Sequence, residues 1–222
     1  MIKFDIVTIF PHIFDSYLKE SLIARAINKK IIRVNIWNLR DFASDKRGTI
    51  DDKPYGGGLG MVMKVEPIYR AVKKIKRTKK SKVILFTPRG KKFNQRVAYN
   101  LSKYKQLVFI CGRYEGVDER VAKYIATDLI SIGDYVLMGG EIASLVVVEA
   151  VSRLIPGVLG KRELLKERIT YPKRHYIEYP FYTRPAVFEP QKKVRWKVPK
   201  VLISGDHKRI KEWRKKHSRI IE

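Results

Sequence analysis

The stretches "KVILFT" (82–87), "QLVFIC" (106–111) and "DLISI" (128–132) decide the fold class of this chain. Each is a short and nearly continuous apolar run. The segments between them have the apolar spacing of helices, with Phe93, Val97 and Leu101 on one face of the first. Apolar strands that alternate with helices are typical of a parallel sheet that helices cover on both faces. The sequence therefore predicts an α/β core.

The flanking segments extend this pattern. Residues 2–10 and 31–38 predict strands, and residues 14–30 between them predict one helix with Phe14, Tyr17, Leu18 and Leu22 on its apolar face. Pro67 is predicted to open a further helix. The long polar segment 40–60 contains "GGGLG" and predicts a mobile loop. The stretch "EIASLVVVEAVSRLI" (141–155) is apolar nearly all round, so we expect it to be buried, in part against a second subunit.

The composition of the chain indicates what kind of partner it binds and where in the cell it is expected. The chain has 222 residues, of which 48 are Lys or Arg and 22 are Asp or Glu, giving a formal net charge of +26. Such an excess predicts a polyanionic partner. The single cysteine, Cys111, excludes a disulfide framework, and no spacing of Cys and His suggests a bound transition metal. The first apolar run is short and contains Lys3 and Asp5, which predicts a soluble, cytoplasmic protein.

The composition changes after "PGVLG" (156–160). Residues 161–178 mix charges and aromatic rings without a clean period, and we expect a flexible linker there. Residues 179–222 are predicted to form a small, mainly helical and basic domain. Its last helix has Asp206 as N-cap and Ile210 and Trp213 as inward anchors. Most other side chains of that helix are cations, and Lys208, Arg209 and Arg214 are among them. These cations predict contacts with a phosphate backbone.

Three glycine-containing turns each follow a predicted strand: "FTPRG" (86–90), "CGRYEG" (111–116) and "IGDYVLMGGE" (132–141). Turns that follow parallel strands meet at the carboxyl edge of the sheet, where open α/β sheets bind ligands. The segment 131–141 contains no Lys or Arg. "GGGLGM" (56–61) also lacks the residues of a P-loop and the spacing of a dinucleotide fingerprint. These features favour an uncharged adenosyl ligand over a nucleotide phosphate.

Five segments in order resemble the bacterial tRNA (guanine-N1)-methyltransferases of the TrmD family, within the SPOUT superfamily. The segments are "DDKPYGGGLGMVMKVEPI", "CGRYEGVDERV", "SIGDYVLMGGE", "VSRLIPGVLG" and "YTRP". The resemblance implies a SPOUT-type parallel sheet with a deep trefoil knot, with residues 1–160 as the methyltransferase domain and the knot and cofactor site at about 83–140. It also implies a homodimer with the active site at the subunit interface. The implied reaction is transfer of a methyl group from S-adenosylmethionine to the guanine immediately 3′ of a tRNA anticodon.

The resemblance also implies site residues. The cofactor-binding residues would be Pro88, Gly112, Ile132, Gly133, Asp134, Tyr135, Val136, Leu137, Gly139 and Gly140. The loop residues that meet the RNA would be Tyr55, Gly56, Gly57 and Gly58.

The reaction itself requires two more groups. Guanine N1 carries a proton, so methylation needs a base, together with a positive donor for the charge that develops on O6. Arg153 matches the catalytic arginine of the family and is the expected O6 donor. Glu115 and Glu178 match acidic positions of the same site, and a magnesium ion near them is left open.

The base is where this sequence departs from the family pattern. The family usually has Asp-Ser-Phe a few residues past the segment that matches "PGVLG", whereas this chain has "KERIT" (166–170), which sets Arg168 opposite the aspartate. An arginine cannot accept the proton. Glu167 is therefore the predicted base, with Glu163 and Glu178 as competitors. Two other functions stay open: a SPOUT methyltransferase that acts on another RNA, and a catalytically impaired RNA-binding homologue.

Overall fold

The structure is a computed structural model that describes residues 1–160 and 176–221. The chain divides into two compact units, Met1–Arg162 and Glu163–Glu222. None of the helices in the described ranges combines the length and apolarity that crossing a bilayer requires.

The first unit alternates strands with helices, as the apolar runs predict. Its strands are β1 (Ile2–Thr8), β2 (Ile32–Asn38), β3 (Asp51–Asp52), β4 (Val62–Met63), β5 (Ser81–Lys92), β6 (Gln106–Ile110) and β7 (Asp128–Ser131). Its α-helices are α1 (Asp15–Leu18), α2 (Ser21–Asn28), α3 (Val65–Lys74), α4 (Gln95–Leu101), α5 (Glu119–Tyr124) and α6 (Gly140–Ser152).

Five of these strands form one sheet in the order β2-β1-β6-β5-β7. All four neighbouring pairs are parallel, which confirms the predicted α/β class with a parallel sheet. One face of the sheet packs against α2, α4 and α6 around Phe4 and Phe109, and the other packs against α3 and α5 around Val83 and Val108. Both faces are covered, which is why the strands are apolar in nearly every position.

The predicted helix over 14–30 is wrong as a single element. The chain instead forms a 3₁₀ turn at Pro11–Phe14, then α1, and then α2 after a break at Lys19 and Glu20. Ser21 has a φ of +53° at this break, which a continuous helix does not allow. As a result, α2 buries Ile23 and Ala26 instead of Leu22.

The predicted turn at 86–90 is an irregular part of β5. The strand pairs with β7 through Phe86, shifts its register, and pairs with β7 again at Lys91 and Lys92. At Gly90 a Cβ atom would lie 2.5 Å from the backbone nitrogen of Ile130. Only glycine fits this approach of two backbones.

The second unit mixes strands with one α-helix in residues 176–221. β8 (Tyr176–Glu178) pairs antiparallel with β11 (Arg219–Ile221), and β9 (Val187–Gln191) pairs antiparallel with β10 (Val194–Lys197). The prediction of a mainly helical domain therefore does not describe these residues. Helix α7 (His207–Lys216) forms where the sequence places it.

The details of α7 agree with the prediction from its sequence. The Asp206 side chain accepts a hydrogen bond from the backbone N–H of Arg209 at 3.0 Å, so Asp206 is the N-cap. Ile210 and Trp213 are partly buried, whereas the other side chains of the helix are exposed. Most of the predicted linker 161–178 lies outside the described residues.

Candidate functional site

A cavity of about 350 Å³ opens at the carboxyl edge of the sheet, where β5, β6 and β7 end. The three turns predicted from the sequence all contribute to its lining. Small-molecule sites in proteins are typically of roughly 300–1,000 Å³. The sheet topology therefore assembles one ligand-sized cavity from segments that are far apart in the sequence.

Most of the predicted cofactor-binding residues line this cavity. Those that do are Pro88, Gly112, Ile132, Tyr135, Val136, Leu137, Gly139 and Gly140. Gly133 and Asp134 do not. The Tyr135 ring packs over Gly133, and the exposed Asp134 carboxylate pairs with Lys92.

The start of α6 lies against the backbone at the end of β6. The Gly140 N–H donates a hydrogen bond to the Gly112 carbonyl oxygen at 3.0 Å, and Arg113 forms an isolated bridge with Gly139. A Cβ atom at Gly140 would lie 2.7 Å from the Cα atom of Cys111. This contact fixes one wall of the cavity and requires glycine at position 140.

A buried charged pair stands behind this wall. The Glu141 side chain is 1% exposed and accepts hydrogen bonds from Arg113 Nε at 2.9 Å and from Thr8 Oγ1 at 2.8 Å. The Arg113 guanidinium also lies over the Phe10 ring, 4.7 Å from its centroid. The sequence alone predicts no role for Glu141, which lies in the motif "SIGDYVLMGGE", or for Arg113, which lies in "CGRYEG".

A second arginine of the cavity lining, Arg89, is also paired. Its guanidinium donates a hydrogen bond to the Glu119 carboxylate at 2.6 Å, and this bond lowers the pKa of Glu119. The lack of Lys and Arg in 131–141 therefore does not make the whole cavity free of cations. Instead, a carboxylate offsets the charge of each lining arginine.

Cys111 is buried, and burial raises the pKa of its thiol well above the ordinary value. A nucleophilic cysteine needs the opposite shift, because the thiolate is the reactive form. The thiol therefore packs in the core and is not a nucleophile.

The predicted catalytic residues lie on different elements of the chain. Glu115 lines the cavity, with its side chain against Gly60 of the glycine-rich loop. Arg153 caps the C-terminal end of α6, about 20 Å along a helix of 13 residues from Gly140. Glu178 lies in β8 of the second unit. Glu167 and its competitor Glu163 lie outside the described residues.

No cluster of three or more His, Cys, Asp or Glu side chains that could hold a metal ion occurs in residues 1–160 and 176–221. Magnesium usually takes six oxygen ligands, several of them water, and at least one or two carboxylates of the protein. Glu115 is the one predicted metal ligand at the cavity. The described residues therefore place one carboxylate of the predicted pair at the cavity, and the magnesium ion stays a prediction.

The predicted RNA-binding residues are accessible. Tyr55 is fully exposed, and Gly56 and Gly57 have open space around them and a positive φ. On α7, Arg209 lies 3.9 Å from the Asp206 carboxylate, and Lys208 is exposed. The Arg214 guanidinium lies over the Tyr179 ring, 5.1 Å from its centroid.

Comparison with known proteins gives one consistent family. Residues 2–220 match the family described as tRNA (Guanine-1)-methyltransferase TrmD. A Dictyoglomus turgidum protein named tRNA (guanine-N(1)-)-methyltransferase is 51% identical over 218 residues, covering 98% of this chain and 85% of that protein. Proteins of the same name from Dehalococcoides mccartyi and Clostridioides difficile are each 48% identical. These two alignments cover 97% of this chain and 85% and 92% of the relatives.

Proposed function

The chain belongs to the TrmD family of tRNA (guanine-N1)-methyltransferases, and from this premise we propose that it methylates N1 of the guanine immediately 3′ of a tRNA anticodon. The methyl donor of this family is S-adenosylmethionine. The single observation that carries the proposal is the cavity at the carboxyl edge of the sheet, which the three predicted turns line, two of them within family segments.

The cavity fits S-adenosylmethionine in size and chemistry. Gly112, Gly139 and Gly140 carry no side chains, so an adenine edge and a ribose can approach the backbone of these turns closely, while Ile132 and Leu137 supply apolar walls. The lining arginines are paired with carboxylates, which suits a ligand that carries a positive sulfonium and no phosphate. When bound, S-adenosylmethionine supplies an electrophilic methyl group.

The protein must then provide a base and an O6 donor for the guanine. We assign the base to Glu167, with Glu163 and Glu178 as alternatives, because a carboxylate can accept the N1 proton as the methyl group approaches. Arg153 would donate hydrogen bonds to O6 and stabilise the negative charge that develops there.

Arg153 supports the proposal of a homodimer. Within one chain, α6 separates Arg153 from the cavity end of the helix by about 20 Å. A second copy packed antiparallel along α6 would bring its own Arg153 to the cavity. Ile142 and Val146 are one turn apart on α6 and are 53% and 40% exposed, which leaves an apolar strip for such a contact.

The trefoil knot of the family is proposed for residues at about 83–140. Two close backbone approaches in this range support it, one where Gly90 meets Ile130 and one where Gly140 meets Cys111. Threaded segments need such approaches without side chains. The exposed cations of α7, with Lys208 among them, are proposed to hold the tRNA backbone.

The proposal is tested with labelled S-adenosylmethionine and two tRNAs that differ only in having G or A after the anticodon. We expect label in the G form alone, and equal labelling would contradict the specificity. Glu167→Gln should abolish turnover and leave cofactor affinity nearly unchanged. Retained turnover in this variant would move the base to Glu163 or Glu178, and cofactor binding without turnover in the parent protein would favour an inactive homologue.

A further inference from the structure

The amino edge of the five-stranded sheet is a second candidate surface. All five strands are parallel, so their first residues share one edge, opposite the cavity. A strand of five residues such as β6 spans about 17 Å, which separates this edge from the cofactor site. The function proposed above uses no residue of the amino edge.

Basic residues occupy neighbouring positions on four consecutive strands at this edge. Arg33 on β2 is the register partner of Lys3 on β1. The Lys3 N–H donates to the Lys105 carbonyl oxygen at 2.9 Å, and the Lys105 N–H donates to the Lys80 carbonyl oxygen at 2.9 Å. Lys105 and Lys80 immediately precede β6 and β5. With about 4.8 Å between strands, this basic row, Arg33-Lys3-Lys105-Lys80, is about 14 Å long.

The segment before β5 adds further charge beside the basic row. Residues 73–80 read "KKIKRTKK", and all of them are exposed except Ile75, which is buried in the core. Residues 29–33, 73–82 and 103–105 contain no Asp or Glu. The exposed positions between 73 and 80 thus carry cations and one threonine, with no large apolar side chain.

Few carboxylates offset these cations. Asp5 is buried and lies 3.2 Å from Lys3 Nζ, and Asp128 lies 2.9 Å from Lys82 Nζ. Among the described residues, no carboxylate lies within 4.0 Å of Arg33, Lys80 or Lys105. A dense set of cations with few counter-charges repels itself, and a bound polyanion relieves that repulsion.

We propose that the amino edge, centred on the basic row, binds the phosphate backbone of RNA at a site separate from the cofactor cavity. A nucleic acid strand carries one negative charge about every 3.4 Å, so a row of about 14 Å spans several phosphates. A membrane surface fits less well, because interfacial segments insert several large apolar side chains beside their cations, whereas residues 73–80 expose none and the exposed apolar side chain at the start of β1 is Met1. The RNA is either the body of the substrate tRNA or another RNA, since both present the same backbone.

The test compares two double variants of the full chain that remove the same charge. Lys80→Gln with Lys105→Gln removes two cations from the basic row. Arg25→Gln with Arg96→Gln removes two exposed cations of the helical layer, one on α2 and one on α4, and it is the matched control. Binding of a fluorescent, fully paired RNA duplex is measured by anisotropy over a series of salt concentrations, and thermal melting verifies that both variants fold.

The salt slope is the change of log K with the logarithm of the salt concentration. Each phosphate that a lysine neutralises accounts for about 0.7–0.9 of this slope, so the row variant, which lacks two lysines, should reduce its magnitude by about 1.4–1.8. Its affinity near 0.1 M salt should fall at least about fivefold, while the control keeps the parent slope. Equal decreases in both variants, or no decrease in either, would overturn the proposal. So would a row variant that keeps RNA affinity but no longer binds phosphatidylglycerol vesicles.

Methyl transfer identifies the source of the RNA and keeps the two proposals distinguishable. The turnover number at saturating tRNA should be unchanged in the row variant, because the basic row lies away from the cavity. A KM for tRNA that rises in parallel with the weakening of duplex binding identifies the substrate tRNA as the ligand of the edge. An unchanged KM with the same weakening identifies another RNA. A parent protein without methyl transfer would refute the proposed function and leave the binding comparison intact.

Discussion

Gly140→Ala tests how the cofactor cavity is built. The added Cβ atom would lie 2.7 Å from Cys111 Cα, whereas ordinary contacts begin near 3.4 Å, so the two backbones must separate by about 0.7 Å. The hydrogen bond from Gly140 to Gly112, now 3.0 Å, would then stretch to about 3.7 Å and break. Overpacking costs about 1–3 kcal/mol and the hydrogen bond about 1 kcal/mol, giving about 2–4 kcal/mol.

The assay has two readouts. Thermal unfolding should shift down by about 4–16 °C, at about 2–4 °C for each kcal/mol in a chain of this length. The dissociation constant of S-adenosylmethionine, measured by calorimetry, should rise at least about tenfold, because Gly112 and Gly140 both line the cavity. Gly160→Ala is the control, since a Cβ atom there meets nothing within 4 Å. A Gly140→Ala protein that melts and binds cofactor like the control would refute the reasoning.

Three further predictions concern single side chains. Glu141→Gln should lower the unfolding free energy by about 3 kcal/mol in a denaturant titration, because it leaves the largely buried Arg113 guanidinium without its charged partner. Glu119, the exposed partner of Arg89, gives the comparison, and Glu119→Gln should cost much less in the same titration. Asp118→Ala should cost about 1 kcal/mol through loss of the N-cap of α5. The hydrogen bond from Arg120 lowers the pKa of Asp118 in the folded protein. The contribution of Asp118 to stability is therefore present above its unfolded pKa and is lost as the pH falls through its folded pKa. Unfolding measured at a series of acid pH values would detect this loss. Cys111 should resist iodoacetamide at pH 8 in the folded protein and react in denaturant, as mass spectrometry would show.

The sheet could be predicted because its strands leave a strong signal. Runs such as "QLVFIC" are buried on both faces, and buried parallel strands between helices have few alternative arrangements. The predicted N-cap Asp206 formed for a similar local reason, since a capping carboxylate acts within three residues.

Features that depend on distant backbone contacts were not predictable. The extension of β5 through "FTPRG" rests on its second pairing with β7, which no local pattern in 86–90 encodes. The apolar spacing over 14–30 predicts one continuous helix, but the chain breaks before Ser21. The break lets α2 bury Ile23 and Ala26 in the core. Among the site residues, Arg113 and Glu141 are 28 positions apart, and only the fold shows that they form one buried pair.

The most direct test of the central claim is the identity of the methylated nucleoside. The full chain is incubated with S-adenosylmethionine and unmodified tRNA that has G after the anticodon, and the tRNA is digested and analysed by mass spectrometry. We expect 1-methylguanosine at that one position. A methylated uridine, a ribose methylation or a methylguanosine at another position would contradict it.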